Sequence, residues 1–254
     1  MTIFEAVLLG IIQGLTEFLP ISSSGHLVIG QKVLGISIAG NLFEVVVHLG
    51  TLGSVLIIFW PDILQLITSL KSETTKKYIF AIVIGTMPAV IIGFLFKDII
   101  SEAFENIRIV AITLILTGII LLSTKFVKTK LKDIAIGSAL LIGFAQAMAI
   151  VPGISRSGIT ISLGMQLGIA PEKAAKFSFL LAIPAIVGAG LLTGSDLIES
   201  SEPTLSWSVL LVGFLSSLIV GWISLRWLLG LIRSGKFYWF GVYCVLIGIL
   251  SWIM

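Results

Sequence analysis

Two short polar stretches interrupt an otherwise apolar chain, and both carry residue types that could do chemistry. The first, EFLPISSSGH at 17–26, contains a carboxylate, three consecutive serines and an imidazole. The second, PGISRSGIT at 152–160, contains a guanidinium and several hydroxyls after a proline–glycine break. A carboxylate, a hydroxyl and an imidazole together are typical of acid–base or nucleophilic catalysis. A guanidinium at a helix start is typical of a phosphate clamp.

The second stretch predicts an anion-binding site. After Pro152 and Gly153 the chain restarts as a helix, and the first backbone N–H groups of a helix have no intrahelical partners. Arg156 adds a planar fork that can hold two phosphate oxygens. We therefore predict that a phosphate group binds at Gly153, Ser155, Arg156, Ser157 and Thr160.

The first stretch repeats this design and adds groups for catalysis. Gln13 and Glu17 are four residues apart on a predicted helix, so both face the same side. We predict that the catalytic residues are Glu17, Ser22, Ser23 and His26, together with Arg156 from the second stretch. Further substrate contacts are predicted at Gln13, Ser24 and Gly25.

The composition indicates which kind of structure must position these residues. Of the 254 residues, 57% are hydrophobic and only 11% are charged, whereas soluble domains carry about 25% charged residues. The chain is therefore predicted to be an integral membrane protein with one domain over residues 1–254. The net charge of +3 is too small to indicate nucleic acid as a partner.

Six apolar segments are long enough to cross a bilayer, which takes roughly 17–25 residues. They lie near 43–60, 78–96, 107–124, 174–194, 206–225 and 237–254. The breaks at 61–77, 125–133 and 226–236 are rich in lysine or arginine, whereas the break at 195–205 has three acids and no base. Because basic loops stay on the cytoplasmic side, the basic breaks are predicted inside, and 97–106 and 195–205 outside.

The inside and outside assignments of the breaks alternate correctly along the chain only if two segments do not cross the membrane. Residues 1–42 and residues 134–172 must each enter the membrane and leave it by the same face. Each contains a short apolar helix, at 2–18 and at 137–150, followed by a proline break, a polar turn and a second short helix near 25–35 or 157–168. Irregular backbone at membrane depth persists only where protein or a water-filled cavity surrounds it. We therefore predict two re-entrant helical hairpins.

The two hairpins also match each other in sequence. When residue 10 is laid on residue 143, nine of the 27 aligned positions in 10–36 and 143–169 are identical, including Gln13/Gln146, Ser22/Ser155 and Gly25/Gly158. Each half of the chain is then a hairpin plus three spans, with repeat one at about 1–126 and repeat two at about 134–254. Because three is odd, the repeats are inverted, and their hairpin tips can meet near the midplane.

Nearly every other ionisable residue falls in a predicted loop or at a span end. An intramembrane charge costs several kcal/mol unless it is paired or hydrated, so the exceptions outside the hairpin turns need an interpretation. His48 is interpreted as a satisfied core histidine, and Glu44 as a residue at a span entrance. Lys32 is expected to reach the interface with its long side chain.

At these residues the sequence resembles the undecaprenyl-diphosphate phosphatase family, also called bacitracin-resistance proteins. The first family motif, Glu or Gln followed by xxxE, matches Gln13 to Glu17, and FLPxSSxGH follows through His26. The second motif, PGxSRSxxT, matches Pro152 to Thr160. Length and hydropathy extend the resemblance over the whole chain. Many family members carry Glu at position 13, so the indispensable carboxylate here is assigned to Glu17.

The resemblance implies a phosphatase of the bacterial inner membrane that removes the terminal phosphate of a C55 polyprenyl diphosphate and recycles the lipid carrier for cell-wall precursors. It also implies a divalent cation, Mg²⁺ or Ca²⁺, and a site reached from the outer face. The expected partners are the polyprenyl diphosphate and membrane lipids, and a homodimer is one assembly that the sequence allows.

For the mechanism we expect Ser23, or in second place Ser22, to attack the terminal phosphorus while His26 or Glu17 takes the proton. A direct attack by water is the alternative that the sequence leaves open. A cation held by Glu17 would offset the charge of the diphosphate.

Two other functions compete with the phosphatase. Inverted repeats with broken helices are typical of secondary transporters, so the protein could instead carry or flip a polyprenyl phosphate or a small anion. A non-catalytic lipid-binding scaffold would leave the Glu–Ser–His group unexplained.

Overall fold

The computed structural model describes residues 1–36, 42–96, 99, 102–104, 106–127, 132–199 and 205–253, with the backbone alone for 192–199. Within these ranges the chain is helical, apart from turns and an isolated β-bridge between Lys132 and Ile169. The helices are α1 (Ile3–Phe18), α2 (Ser23–Leu34), α3 (Leu42–Ile58), α4 (Trp60–Thr68), α5 (Glu73–Leu95), α6 (Ile107–Ser123), α7 (Ile136–Met148), α8 (Arg156–Gln166), α9 (Pro171–Glu199), α10 (Trp207–Arg233) and α11 (Trp239–Ile253).

The predicted all-α, polytopic membrane fold is confirmed. In the described part of the chain, four segments are long and apolar enough to cross a membrane. They are α5, α6 together with the short turn after it (Ile107–Phe126), Pro171–Leu191 of α9, and α10. The bent α3–α4 pair supplies a fifth candidate span. The sixth predicted span is the apolar helix α11, which has 15 residues. The chain is therefore a multi-pass membrane protein.

Several boundaries differ from the sequence prediction. The expected break at 61–77 contains α4, which bends by 67° from α3. Pro61 lies in the first turn of α4, where a helix tolerates a residue without an N–H donor. Helix α5 begins at Glu73, five residues before the predicted start, so its first turn is polar and lies outside the apolar segment. In this turn Lys76 donates a hydrogen bond to Glu73 at 2.8 Å.

The predicted hairpins are present as the helix pairs α1–α2 and α7–α8. The second helix of each pair starts in the same way. The Ser22 hydroxyl accepts a hydrogen bond from the Gly25 N–H at 3.2 Å, and the Ser155 hydroxyl accepts one from the Gly158 N–H at 3.1 Å. These serines are equivalent in the sequence repeat, so the repeat extends to the capping of the helices.

The two hairpin tips touch each other. A Cβ atom on Gly25 would lie 3.2 Å from Gly153 Cα, and one on Gly158 would lie 3.2 Å from Pro20 Cβ. In the sequence repeat, position 25 is equivalent to position 158, and position 20 is equivalent to position 153. The two contacts are therefore the same contact with the two hairpins exchanged. The tips are therefore related by an approximate twofold exchange, and glycine permits their close approach.

Each hairpin packs mainly against a span of the opposite half. Helix α1 lies along α10, and α7 lies along α5. The Ser224 hydroxyl of α10 donates to the Gly14 carbonyl at 2.6 Å, and a Cβ on Gly143 of α7 would lie 2.3 Å from the Gly85 carbonyl oxygen of α5. Small residues allow this approach, as is common between membrane helices. The exact repeat boundaries near 126 and 134 stay a prediction.

Helix α9 packs against α3, α5, α8 and α10. Its Phe177, Phe179 and Leu181 are fully buried. The ring of Phe18, at the tip of hairpin one, meets the ring of Phe179 edge-on with centroids 5.7 Å apart. Since lipid tails are as apolar as these side chains, this packing stabilises the fold mainly by close van der Waals contact.

We expect Gly153→Ala to destabilise the protein by about 2 kcal/mol or more, because a non-glycine residue is strained in the left-handed region. Gly153 has φ +90, and an added Cβ would lie 2.0 Å from Thr113 Oγ1. Thermal unfolding in detergent measures the effect. The matched control is Gly137→Ala, where no described atom lies within 4 Å of the new Cβ. Equal melting temperatures for both variants would contradict this account of the tip.

Candidate active site

The carboxylate of Glu17 connects the two hairpin tips. Its Oε1 accepts a hydrogen bond from Arg156 Nη2 at 2.5 Å, which is also an ion pair. Its Oε2 accepts from the Ser23 hydroxyl at 2.7 Å and from Gln13 Nε2 at 3.0 Å. The sequence analysis predicted that these four residues share one site, and the structure places them together.

Helix ends position these side chains. Glu17 lies in the last turn of α1, just before the break at Leu19, while Ser23 and Arg156 are the first residues of α2 and α8. The amino ends of two helices therefore meet at one carboxylate. Because a helix amino end carries a partial positive charge, this point favours bound anions.

The ion pair is largely withdrawn from solvent. The side chain of Arg156 is 15% exposed and that of Glu17 is 6% exposed. A lone charge at this depth would be costly, and each of the two charges removes most of that cost for the other.

Two polar atoms of the site are buried and have no hydrogen-bond partner among the described residues. They are Arg156 Nη1, a donor, and Gln13 Oε1, an acceptor. Buried polar groups are normally paired, so unpaired ones in a site indicate places for a ligand. A phosphate oxygen suits the donor, and a hydroxyl group or a metal cation suits the acceptor.

Ser22 and Ser23 have different tasks although they are adjacent. Ser22 is buried, and its hydroxyl is used as the α2 N-cap. Its backbone has φ 70, a strained conformation for a non-glycine residue that is common at functional sites. The turn directs Ser23 to Glu17, whereas the Ser24 hydroxyl lies 3.3 Å from the Ser22 hydroxyl.

The His26 ring is hydrogen-bonded to Ser22 and Tyr243. Its Nδ1 lies 2.8 Å from the Ser22 carbonyl oxygen, which can only accept, so this bond places the proton on Nδ1. Its Nε2 lies 2.9 Å from the Tyr243 hydroxyl, and the two rings are stacked with centroids 5.7 Å apart. In this structure the imidazole contacts α11 and not the Ser23 hydroxyl, and its predicted role as a base stays a prediction.

The hydroxyls of Ser155, Ser157 and Thr160 in the second hairpin are buried and hydrogen-bonded within the protein. Ser155 caps α8, Ser157 donates weakly to the Leu19 carbonyl at 3.4 Å, and Thr160 bonds the Arg156 carbonyl at 2.6 Å. The Gly153 carbonyl accepts from Thr117 at 3.1 Å. These residues hold Arg156 in position, and their direct contact with a phosphate stays a prediction.

One neighbour of the site was not predicted. His48 on α3 has its Nε2 3.6 Å from Glu17 Oε2, so its interpretation as a core histidine missed a site residue. Its Nδ1 donates to the Glu44 carbonyl at 2.7 Å. Gln31 of hairpin one donates to Glu44 Oε1 at 3.2 Å. The only sequence signal was that Glu44 and His48 are polar residues one turn apart inside a predicted span.

The fold and this cluster define a class of protein: a helical multi-pass membrane protein with a buried serine–carboxylate–arginine site at two converging helix breaks. Residues 6–250 match the family described as bacitracin resistance protein BacA, and the chain belongs to this family.

Named relatives match over nearly their full length. A protein of Halothermothrix orenii named undecaprenyl-diphosphatase is 42% identical, with 100% of this chain and 98% of the relative aligned. Proteins with the same name from Bacteroides fragilis and Methanosphaera stadtmanae are 40% and 39% identical, and the alignments cover 98% and 99% of this chain. They cover 96% and 98% of those two relatives.

We expect Glu17→Gln or Arg156→Met alone to lower the free energy of unfolding by about 3–5 kcal/mol, because each leaves one charge buried without its partner. The double variant should be less destabilised than the sum of the two changes. Unfolding in detergent measures this coupling.

The matched control is the exposed pair of Lys173 and Asp133, which are bonded at 2.6 Å. In a double-mutant cycle, Lys173→Met and Asp133→Asn should change the free energy of unfolding additively, with no measurable coupling energy, since solvent screens exposed pairs. Equal coupling in both cycles would contradict a buried, mutually dependent pair at the site.

Proposed function

We propose that this protein hydrolyses undecaprenyl diphosphate to undecaprenyl phosphate and inorganic phosphate in the bacterial inner membrane. The observation that carries the proposal is the contact of the Ser23 hydroxyl and the Arg156 guanidinium with opposite oxygens of the buried Glu17 carboxylate. A nucleophile, a base and an anion clamp therefore meet at one point. The relatives named undecaprenyl-diphosphatase support the choice of substrate.

Arg156 and the two helix starts bind the diphosphate. Arg156 Nη1 is free of hydrogen bonds within the described residues and takes a phosphate oxygen, while Nη2 stays on Glu17. The amino ends of α2 and α8 add partial positive charge on the same side. Phosphoryl transfer depends mainly on such positioning and charge stabilisation.

Ser23 is the proposed nucleophile and Glu17 the base. Ser23 Oγ forms a bond to the terminal phosphorus as its proton passes to Glu17 Oε2, 2.7 Å away. The bond from phosphorus to the bridging oxygen breaks, and the polyprenyl phosphate leaves with that electron pair. Water then attacks the phosphoserine, and the bond from phosphorus to Ser23 Oγ breaks. Glu17 returns its proton to that oxygen, the proton that the water loses passes to solvent, and inorganic phosphate leaves. In the alternative route water attacks directly, and Ser23 only hydrogen-bonds to Glu17.

The donor set at Glu17 fits a divalent cation shared with the substrate. The described residues contain no group of three His, Cys, Asp or Glu that could hold a metal ion by themselves. Mg²⁺, however, commonly uses one or two carboxylates together with substrate phosphates. Glu17 and the unpartnered Gln13 Oε1 would supply the protein oxygens. When bound, the cation offsets phosphate charge that Arg156 does not neutralise, since Arg156 is paired with Glu17.

Charge distribution supports an orientation in which hairpin one, which carries Glu17 and Ser23, enters from the outer face. The segments 61–77, 125–133 and 226–236 are basic, and this favours the cytoplasmic side for them. Helices α1 and α10 run in the same direction, because Gly10 lies beside Gly213 and Gly14 lies beside Gly221. With 226–236 inside, α10 runs inward, and α1 therefore enters from the outside.

Ser23→Ala should lower the rate of phosphate release from undecaprenyl diphosphate by about 10²-fold or more, because it removes the attacking oxygen. Release of inorganic phosphate by detergent-purified protein is the measurement, with the exposed Ser234→Ala as the control. Rapid acid quenching should also trap a phosphoserine at position 23 in the wild type. Near-normal turnover by Ser23→Ala would refute the nucleophile, and a slow variant with no trapped phosphoserine would favour attack by water.

Removing divalent cations with a chelator should abolish phosphate release, and Mg²⁺ or Ca²⁺ should restore it. Gln13→Leu should raise the cation concentration needed for half-maximal rate, because it removes one of the two proposed protein oxygens. Isothermal titration with the cation and a non-hydrolysable diphosphate gives a readout besides activity. Undiminished release after chelation would remove the cation from the mechanism.

A further inference from the structure

Three side chains with acceptor atoms meet beside the Glu17–Ser23 contact, and the proposed reaction uses only two of them. The first is the Glu17 carboxylate on α1, which is 6% exposed. The second is Gln13, whose Oε1 is buried and has no hydrogen-bond partner among the described residues. The third is His48 on α3, whose Nε2 lies 3.6 Å from Glu17 Oε2. His48 has no part in the proposed reaction, so its position beside Glu17 needs an explanation.

The hydrogen bond on the other ring nitrogen fixes what His48 presents to Glu17. Its Nδ1 lies 2.7 Å from the Glu44 carbonyl oxygen, which can only accept, so Nδ1 carries a proton. In the neutral ring Nε2 then has a lone pair, and it lies 3.6 Å from a carboxylate oxygen. A histidine that binds a metal ion usually donates its other ring N–H to a carbonyl or a carboxylate, which sets the tautomer and the orientation of the ring. His48 has this arrangement.

Two acceptors this close to each other need positive charge between them. A proton would serve His48 and Glu17, but it would leave Gln13 Oε1 without a partner. The Gln13 amide nitrogen donates to Glu17 Oε2 at 3.0 Å, and the two polar atoms of an amide are about 2.2 Å apart, so Gln13 Oε1 lies within about 5 Å of the same carboxylate oxygen. A metal cation would serve all three side chains, and a buried acceptor without a partner indicates such a ligand.

The separation of the two closest ligand atoms suits a small ion. Zn²⁺ binds imidazole nitrogen and carboxylate oxygen at about 2.0–2.2 Å, and two such ligands of a tetrahedral ion lie about 3.4 Å apart. The 3.6 Å between His48 Nε2 and Glu17 Oε2 is close to this separation. The His48 side chain is 31% exposed, so this side of the site gives an ion a path of entry.

We propose that His48, Glu17 and Gln13 bind a divalent transition-metal ion such as Mn²⁺, with His48 Nε2 as its nitrogen ligand. This inference rests on the proposed function, whose cation it assigns to a class of metal and to a third protein ligand. Imidazole nitrogen favours transition metals, whereas Ca²⁺ takes oxygen ligands. The two oxygen ligands also accept Mg²⁺ or Ca²⁺, and these ions bind more weakly because they do not use the nitrogen.

The test detects the nitrogen ligand directly. The chain has two histidines, His26 and His48, so an imidazole bound to the metal has only two possible sources. Pulsed electron paramagnetic resonance of Mn²⁺ bound to tag-free, detergent-purified wild type should show the spin-echo modulation of a coordinated ¹⁴N. His48→Gln should lose this modulation. The matched control, His26→Gln, should keep it, because the His26 ring is bonded to Ser22 and Tyr243.

Isothermal titration of the purified protein with each metal gives a second measurement. His48→Gln should weaken the binding of Mn²⁺ about tenfold or more, because it removes the nitrogen ligand. The same variant should bind Ca²⁺ within about threefold of the wild type, because Ca²⁺ uses the oxygens of Glu17 and Gln13. Retained Ca²⁺ binding also shows that the variant is folded.

Isotope labelling tests the inference without any variant. In unmutated protein grown with ¹⁵N-histidine, the modulation of ¹⁵N should replace that of ¹⁴N. The inference is overturned if Mn²⁺ does not bind, if it binds without histidine modulation, or if His48→Gln loses Mn²⁺ and Ca²⁺ affinity equally. The phosphate-release assay is separate from these measurements. A wild type that binds Mn²⁺ through His48 and releases no phosphate from undecaprenyl diphosphate supports the metal site and refutes the proposed function alone.

Discussion

The ion pair of Arg156 with Glu17 is the interaction on which the rest of the structure depends. It joins two helix breaks that are 139 residues apart in the chain, inside a membrane protein where either charge alone would be costly. Pairing makes burial of both charges tolerable, and it also orients them. Glu17 uses its second oxygen for Ser23 and Gln13, while Arg156 keeps one nitrogen for a ligand. The side-chain atoms of Glu17 and Arg156 that stabilise the fold are therefore the same atoms that form the candidate active site.

The membrane imposes a second constraint. A broken helix exposes backbone donors and acceptors that lipid cannot satisfy, so each tip must be enclosed by protein. The tips enclose each other, with Gly25 against Gly153 and Gly158 against Pro20. Threonines of α6 complete this enclosure, since Thr113 donates to the Pro152 carbonyl at 2.6 Å and Thr117 to the Gly153 carbonyl at 3.1 Å. The strained Ser22 persists because these surroundings hold it.

Much of the fold could be predicted because apolar segment length, proline breaks and the internal repeat are local properties of the chain. The site was predictable in part for the same reason. Polar residues in an apolar stretch are conspicuous, and the repeat indicated that Glu17 and Arg156 would meet. His48 was missed because its span carries no turn signal and its proximity to Glu17 arises from helix packing. The bend between α3 and α4 was missed because the polar segment 61–77 indicated a loop.

The sequence by itself determined the membrane class, the two hairpins and the set of chemical groups, because these follow from composition and spacing along the chain. Only the tertiary structure decided the different roles of the adjacent serines: the Ser22 hydroxyl caps α2, whereas the Ser23 hydroxyl donates to Glu17. It alone directed His26 toward Tyr243 on α11. Side-chain direction depends on contacts between helices distant in the chain, and no local pattern specifies those contacts.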